Sequence, residues 1–297
     1  MRKNSVLFYT QNQWAFGQIH HALIKRLWEH GIYAHLLDFY SEYSPQEYEL
    51  LNDSFETFVT TPEAVARLVH FGIAPEKIVA IAHAERDVVG GASSSPASIF
   101  YRLKGFGVIN PLLSAIWKSV GIFREPTVVR NGVDFDHFYA PISRELRTVG
   151  YAGATHHPMS NGRDCKRSYL IERVRQGSEV EFKLFPRVNH LCMAGYYQAI
   201  SSVLITSDYE ACGLPILEAA SAGRLVISAN VGYFDGAHGA LCRRADDEFV
   251  LDAQNALAKY KDPILYREAC EKAQQYAREH YDWKHVLQDW LELLGAA

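Results

Sequence analysis

Short apolar runs alternate along this chain with stretches in which apolar positions return every three or four residues. The run SVLFYT (5–10) leads through the polar loop QNQWAFG into QIHHALIKRLWEHG. There Ile19, Ala22, Leu23, Leu27 and Trp28 fall on one helical face, and Gly31 marks the stop. IYAHLLDF follows as a strand, and strand and helix keep alternating to the end. That alternation predicts an α/β fold built on parallel sheets covered by helices. A gapless repeat supports it: VTTP…FGIAPEKIVAIA from Val59 aligns with VINP…VGIFREPTVVRN from Val108. Strand end, proline, glycine and next strand coincide, as in two successive βαβ units or a duplicated module.

The stretch VVRNGVDFDHFYAP (128–141) closes the first series, with a sharp turn at Asn131-Gly132. A second series then runs through RTVGYAGA, SYLIERVRQG, VEFKLF, AGYYQAIS and SVLITS. The expected domains are therefore 1–142 and 143–297. The end of the chain, YREACEKAQQYAREHYDWKHVLQDWLELL, reads as amphipathic helix.

Composition narrows the function classes. Apolar residues make up 48% and charged residues 22%, so the chain buries a sizeable core, and its net charge of −4 argues against general polyanion binding. The apolar run at the N-terminus is too short for a secretory signal, and none reaches the roughly 18 residues of a membrane span. Five scattered cysteines without a CxxC pair read as reduced thiols, which favours the cytoplasm. The helix pattern PLLSAIWKSVGIFR (111–124), with Trp117, Lys118, Phe123 and Arg124, offers either a peripheral membrane contact or a cover for its own sheet. GGASSSPAS (90–98) reads as a surface loop or a mobile lid.

Candidate chemistry concentrates in SDYEACGLPILEAASAGRLVISAN (207–230). SVLITS is a buried strand, and DYEACG follows its C-terminal end, where open α/β sheets bind ligands. Pro215 suits a helix start, and Gly223 suits the helix stop before the next strand. The helix thus turns its free N–H groups and positive end toward a ligand, as a diphosphate requires. Glu210 and Glu218 stand on either side of that start, and a carboxylate accepts paired hydrogen bonds from vicinal hydroxyls.

YEACGLPILEAASAGRLVISANVG resembles the Glu-x7-Glu signature of retaining glycosyltransferases of the GT-B fold, family four. VVRNGVDFDHF resembles that family's inter-domain strand and turn, and YDWKHVLQDWLELL its closing helix. The resemblance covers 110–297 well and the first hundred residues in outline. It implies two Rossmann-like domains facing across a cleft, the first (1–142) binding the acceptor and the second (143–297) the donor, with the last helix returning to the first domain. It implies metal-free transfer from a nucleoside diphosphate sugar with retention, without a cofactor, to an unidentified acceptor: a glycan, a lipid-linked sugar, a small molecule or modified nucleic acid.

The resemblance also assigns residues. Glu210 contacts the donor sugar, backbone amides at Cys212, Gly213 and Leu214 hold the sugar and diphosphate, and Glu218 accepts from the ribose. Among Arg163, Lys166 and Arg167, Lys166 is the expected phosphate cation; the family's Gly-Arg after the first strand of this domain is replaced here by Gly153-Ala154. His83, at a strand end, matches the histidine placed over the donor sugar, and Gly17 the glycine-rich first loop. Cys212 stands where an aromatic is usual and reads as packing. His156 and His157 lack a third metal ligand at suitable spacing. A nucleotide-sugar epimerase and a non-catalytic sugar-nucleotide binder share these features. A nicotinamide oxidoreductase does not, since GFGVIN (105–110) opens a strand and lacks the full phosphate-loop fingerprint.

Overall fold

The computed structural model describes residues 4–11, 14–153, 156, 162–186 and 189–296. The chain divides into two compact units, Met1–Gly132 with Trp283–Ala297, and Val133–Asp282.

In the first unit the described residues form a parallel sheet ordered β2-β1-β3-β4-β5-β6. Its strands are β1 Ser5–Thr10, β2 Tyr33–Asp38, β3 Thr57–Thr60, β4 Ile78–Ala82, β5 Gly105–Val108 and β6 Thr127–Val128. Its helices are α1 Trp14–Glu29, α2 Pro45–Ser54, α3 Val65–His70, α4 Glu85–Ser94, α5 Ala97–Arg102, α6 Pro111–Ser119 and, from the end of the chain, α13 Trp283–Leu294. β1 and β4 are buried along their whole length, as strands covered on both faces must be.

The 49-residue repeat has a structural counterpart. After α3, Gly72 (φ 88°) donates to Val69 and Ile73 to Leu68; after α6, Gly121 (φ 85°) donates to Lys118 and Ile122 to Trp117. Both are left-handed helix stops that need glycine, so β3-α3-β4 and β5-α6-β6 are successive units with one solution to the same turn. Trp117 is fully buried against Phe100 and Phe106, so α6 covers its own sheet. The two glycines of GFGVIN serve packing: a Cβ at Gly107 would sit 2.9 Å from Leu293 of α13, and one at Gly105 3.1 Å from it. The expected return of the last helix to the first domain is observed.

Two expectations change. The stretch 90–98 is neither loop nor lid over most of its length, because α4 runs through Ser94 and α5 starts at Ala97. Gly91 lets α4 press onto Pro62, where a Cβ would come within 2.4 Å. The units also change over at 132/133 and 282/283, whereas 142/143 was expected. Phe135 and Phe138, on the short helix α7 Phe135–Phe138, are buried in the second unit, with Arg278 over the Phe135 ring at 4.6 Å. The predicted terminal helix is in fact two, parted at Asp282.

The second unit has a parallel sheet ordered β11-β10-β9-β7-β8. Its strands are β7 Thr148–Gly153, β8 Glu181–Pro186, β9 Ser202–Ile205, β10 Leu225–Ala229 and β11 Ala240–Cys242. With α7, its helices are α8 Tyr169–Gln176, α9 Met193–Gln198, α10 Leu214–Ser221, α11 Asp246–Lys259 and α12 Pro263–Tyr281. β9 pairs with both β7 and β10, so the loops leaving β7 and β9 share one edge of the sheet. No helix among the described residues is long and apolar enough to cross a membrane.

Candidate active site

Where β9 ends, Thr206 and Ser207 remain buried and the chain turns through Glu210 to Gly213. Gly213 adopts φ 72° and ψ 61° immediately before α10, a conformation that L side chains resist, and a Cβ there would meet Ile216 at 2.7 Å. Pro215 occupies the first turn, and the Ile216 N–H closes onto the Gly213 carbonyl at 2.8 Å. The positive end of α10 is therefore built by the Gly-Leu-Pro read from the sequence.

The segment after β7 meets this turn. Asp208 N–H donates to the Cys165 carbonyl at 3.0 Å, and Thr206 Oγ1 to the Lys166 carbonyl at 2.6 Å. The Lys166 N–H donates to Asp164 at 3.1 Å, and Arg163 pairs with Asp208 at 2.7 Å. These bonds fix the 163–167 backbone and leave the Lys166 side chain to reach Glu210, Nζ to Oε1, at 2.5 Å. Ser207 Oγ donates to the same Glu210 oxygen at 2.7 Å. Burial works to lower the Lys166 pKa, but the charge and hydrogen bond of Glu210 outweigh it, and the ammonium is held above the ordinary lysine range. Lys166, Ser207, Glu210, Gly213, Pro215 and Tyr151 line one small pocket, with Ile205 and Ile216 as its apolar wall.

Other expected residues lie elsewhere. Glu218 is in the second turn of α10 and only 5% exposed; Tyr197 donates to its Oε2 at 2.8 Å, and His190 Nε2 lies 3.4 Å from its Oε1. It does not line the pocket with Glu210. Arg167 (φ 46°) turns its guanidinium into the protein, to the Thr206 and Arg244 carbonyls at 2.9 and 2.5 Å and to Asp246 at 3.0 Å, with the Phe249 ring beneath. Those contacts give it a structural task. Arg163 is well exposed and stays on its pair with Asp208. Cys212 is buried, and its carbonyl accepts from the Tyr233 N–H at 3.0 Å, as the packing reading implied. Leu214 opens α10, so its amide belongs to the helix start. His156 faces Asp164 at 3.3 Å, whereas His157 and Ala154 lie outside the described residues. No group of three or more metal-binding side chains occurs among the described residues.

Two of the expected residues belong to the first unit. Gly17 lies inside α1, not in the loop before it, because the helix begins already at Trp14. His83 follows β4, is 5% exposed, and stands edge-on to His20 with ring centroids 5.5 Å apart. Its N–H and that of Ala84 donate to Asp87 at 2.8 and 2.9 Å. Burial drives the His83 pKa down to about 3 and the His20 pKa well down, so His83 is a neutral imidazole at physiological pH. Burial pushes Asp87 the other way, to about 6.

The signs give a test. An unfolded histidine takes a proton near pH 6.5 and the buried one does not, so the His83 contribution is complete above 6.5 and is lost as pH falls toward 3, and His20 acts in the same direction. Asp87 acts oppositely between about 6 and 3.8, but two histidines outweigh one carboxyl. His83 alone should cost about 2 kcal/mol at pH 5 relative to pH 7. Urea midpoints should fall over that interval, and His83→Gln should flatten the decline; an unchanged slope would show that His83 is protonated in the fold.

Ser207, Tyr151, Tyr197 and His190 were not singled out from the sequence. Ser207 carries a usable signal, three residues before Glu210 at the end of a buried strand. Tyr151 and Tyr197 read as ordinary core aromatics.

Residues 146–259 match the family model described as Glycosyl transferases group 1. No curated protein sequence matches the chain. Among solved structures, a sucrose-phosphate synthase from Thermosynechococcus elongatus superposes with a TM-score of 0.71 at 14% identity, covering 100% of both chains. The catalytic domain of starch synthase IV from Arabidopsis thaliana, bound to ADP and acarbose, gives 0.70 at 12% identity and 98% of each chain. An alpha-glucosyltransferase in complex with UDP and a 13-mer DNA gives 0.69 at 8% identity, over 98% of this chain and 99% of that one. At these identities the likeness establishes the fold, two Rossmann-like units of the GT-B type.

Proposed function

We infer that this chain, a GT-B protein whose residues 146–259 match the group 1 glycosyl transferases, moves a sugar from a nucleoside diphosphate sugar to an acceptor with retention of anomeric configuration. One observation carries the reading: Lys166 and Glu210 meet in a pocket beside the N-terminus of α10, at the C-terminal edge of the second sheet. A cation, a helix start and a carboxylate are what a departing diphosphate and a hydroxylated ring require. The ADP and UDP bound to two of the structural neighbours support a nucleotide donor.

In this reading Lys166 and the amides at 212–214 take up the charge of the leaving diphosphate, so that no metal is needed. Glu210 accepts from the sugar hydroxyls, and Glu218 from the ribose through the oxygen nearer His190. Neutral His83 offers the donor sugar a hydrogen bond without a charge. The bond from the anomeric carbon to the phosphate oxygen breaks as the acceptor oxygen attacks from the same face. The departing phosphate takes the acceptor's proton, so no protein nucleophile is consumed. One neighbour is bound to acarbose and another to a 13-mer DNA, so the fold does not select an acceptor.

Thermal-shift titration with UDP-, ADP- and GDP-glucose tests the donor, and the anomeric signal of the product tests retention. Stabilisation by one donor and turnover that survives EDTA are expected. Donor incubated alone should hydrolyse slowly; clean epimerisation would assign an isomerase instead, and binding without turnover across a panel of acceptors a non-catalytic binder.

A further inference from the structure

The pocket's ammonium and carboxylate are joined to each other. Lys166 and Glu210 have side chains about four-fifths buried, at 20% and 18% exposure, and lie 2.5 Å apart. A diphosphate that needs the Lys166 ammonium, and a sugar that needs the Glu210 carboxylate, therefore compete with the same bond. The two partners are held very differently. The backbone at Lys166 is stapled by Thr206 and Asp164, but its side chain ends in a flexible stem whose recorded bond is to Glu210. Glu210 has a second donor on the same oxygen, Ser207 Oγ at 2.7 Å, and Ser207 is 3% exposed.

We propose that the Lys166–Glu210 ion pair is a latch opened by exchange: the donor diphosphate takes Lys166 from Glu210, and Ser207 keeps Glu210 in place so that its vacated lone pairs accept the sugar. This rests on the donor reading above and adds a linkage to it. The site becomes competent to grip a sugar only when a diphosphate has drawn Lys166 away, which couples recognition of the two halves of the donor. Ser207 is a positioning residue, acting through Glu210 and not on the substrate.

The linkage makes an unusual demand: removing an expected sugar contact should strengthen binding of the sugar-free nucleotide. Glu210→Gln leaves Lys166 without its charged partner, and the full chain should bind the matching probe among UDP, ADP and GDP about tenfold more tightly. A neutral glutamine also removes a general repulsion, so the same substitution is made in Lys166→Ala, where the gain should vanish if the latch is its source. Ser207→Ala should leave affinity for the nucleoside diphosphate equal to or above wild type while most of the additional affinity conferred by glucose in UDP-, ADP- or GDP-glucose is lost. A role in stability alone would weaken both ligands together. Unchanged or weaker nucleotide binding in Glu210→Gln, or a gain that persists without Lys166, overturns the latch while the donor reading stands. If the wild-type chain binds none of the three diphosphates, the donor reading falls and the latch with it.

Discussion

Replacing Lys166 with alanine is expected to lower sugar-transfer turnover by about 100- to 1,000-fold, the loss typical when one preorganised charge is withdrawn from a departing oxyanion. The magnitude follows from position. Among the described residues Lys166 is the cation lining the pocket with Glu210 and the α10 helix start, whereas Arg163 is tied to Asp208 and Arg167 to backbone carbonyls. Neither can replace it without breaking those bonds. Steady-state kinetics with the donor selected by thermal shift, together with an unchanged circular dichroism spectrum, make the measurement. Turnover within threefold of wild type would transfer the role to another group. Lys166→Arg should recover little, because a planar fork cannot occupy the geometry of a point charge at the end of a four-carbon stem.

The opposite pattern is expected for the neighbouring cation. Arg167→Ala should destabilise the second unit by about 1–3 kcal/mol, because the Thr206 and Arg244 carbonyls lose the buried guanidinium that donates to them and the half-exposed Asp246 loses its partner. The effect on nucleotide affinity should be small in whatever protein remains folded. Urea unfolding followed by titration of the folded fraction separates the two. A donor defect with full stability would return Arg167 to the binding site. These adjacent residues, Lys166 and Arg167, thus make a paired experiment in which one substitution removes chemistry and the next removes structure.

That contrast also shows where sequence reading stops. The two ends of α10 were legible because their grammar is local: Gly213 and Pro215 at its start and Gly223 after its end each meet a backbone demand that few other residues satisfy. The helix stops at Gly72 and Gly121 were legible for the same reason, and with them the two successive βαβ units; the order of the strands in the sheet was not. Which of three cations faces the pocket was ranked only with help from resemblance. The direction of a side chain depends on φ at Arg167 and on partners nearly 80 residues away. The helical state of 90–98 was hidden because its small residues suit a loop by composition, and it is contact of Gly91 with Pro62 that gives them a helix. The boundary was set too late because Phe135 and Phe138 look like the close of the first series until the aromatic and cationic partners of the second unit come into view. The separation of Glu218 from Glu210 has the same origin: the Tyr197 hydroxyl that draws it inward comes from another helix.

The passage of the chain out of the first unit at Gly132 and back at Trp283 bears on biosynthesis. When the ribosome has made the first 132 residues, the glycines of β5 still lack the Leu293 that covers them, and Trp290, whose indole donates to the Arg130 carbonyl at 2.8 Å, has not been translated. At about 5–20 residues per second, some 150 further residues take roughly 8–30 seconds, an interval in which the second unit can complete itself first. The earlier-made half of this protein is thus the later one to be finished, and its bare sheet face is what a chaperone would meet on the nascent chain.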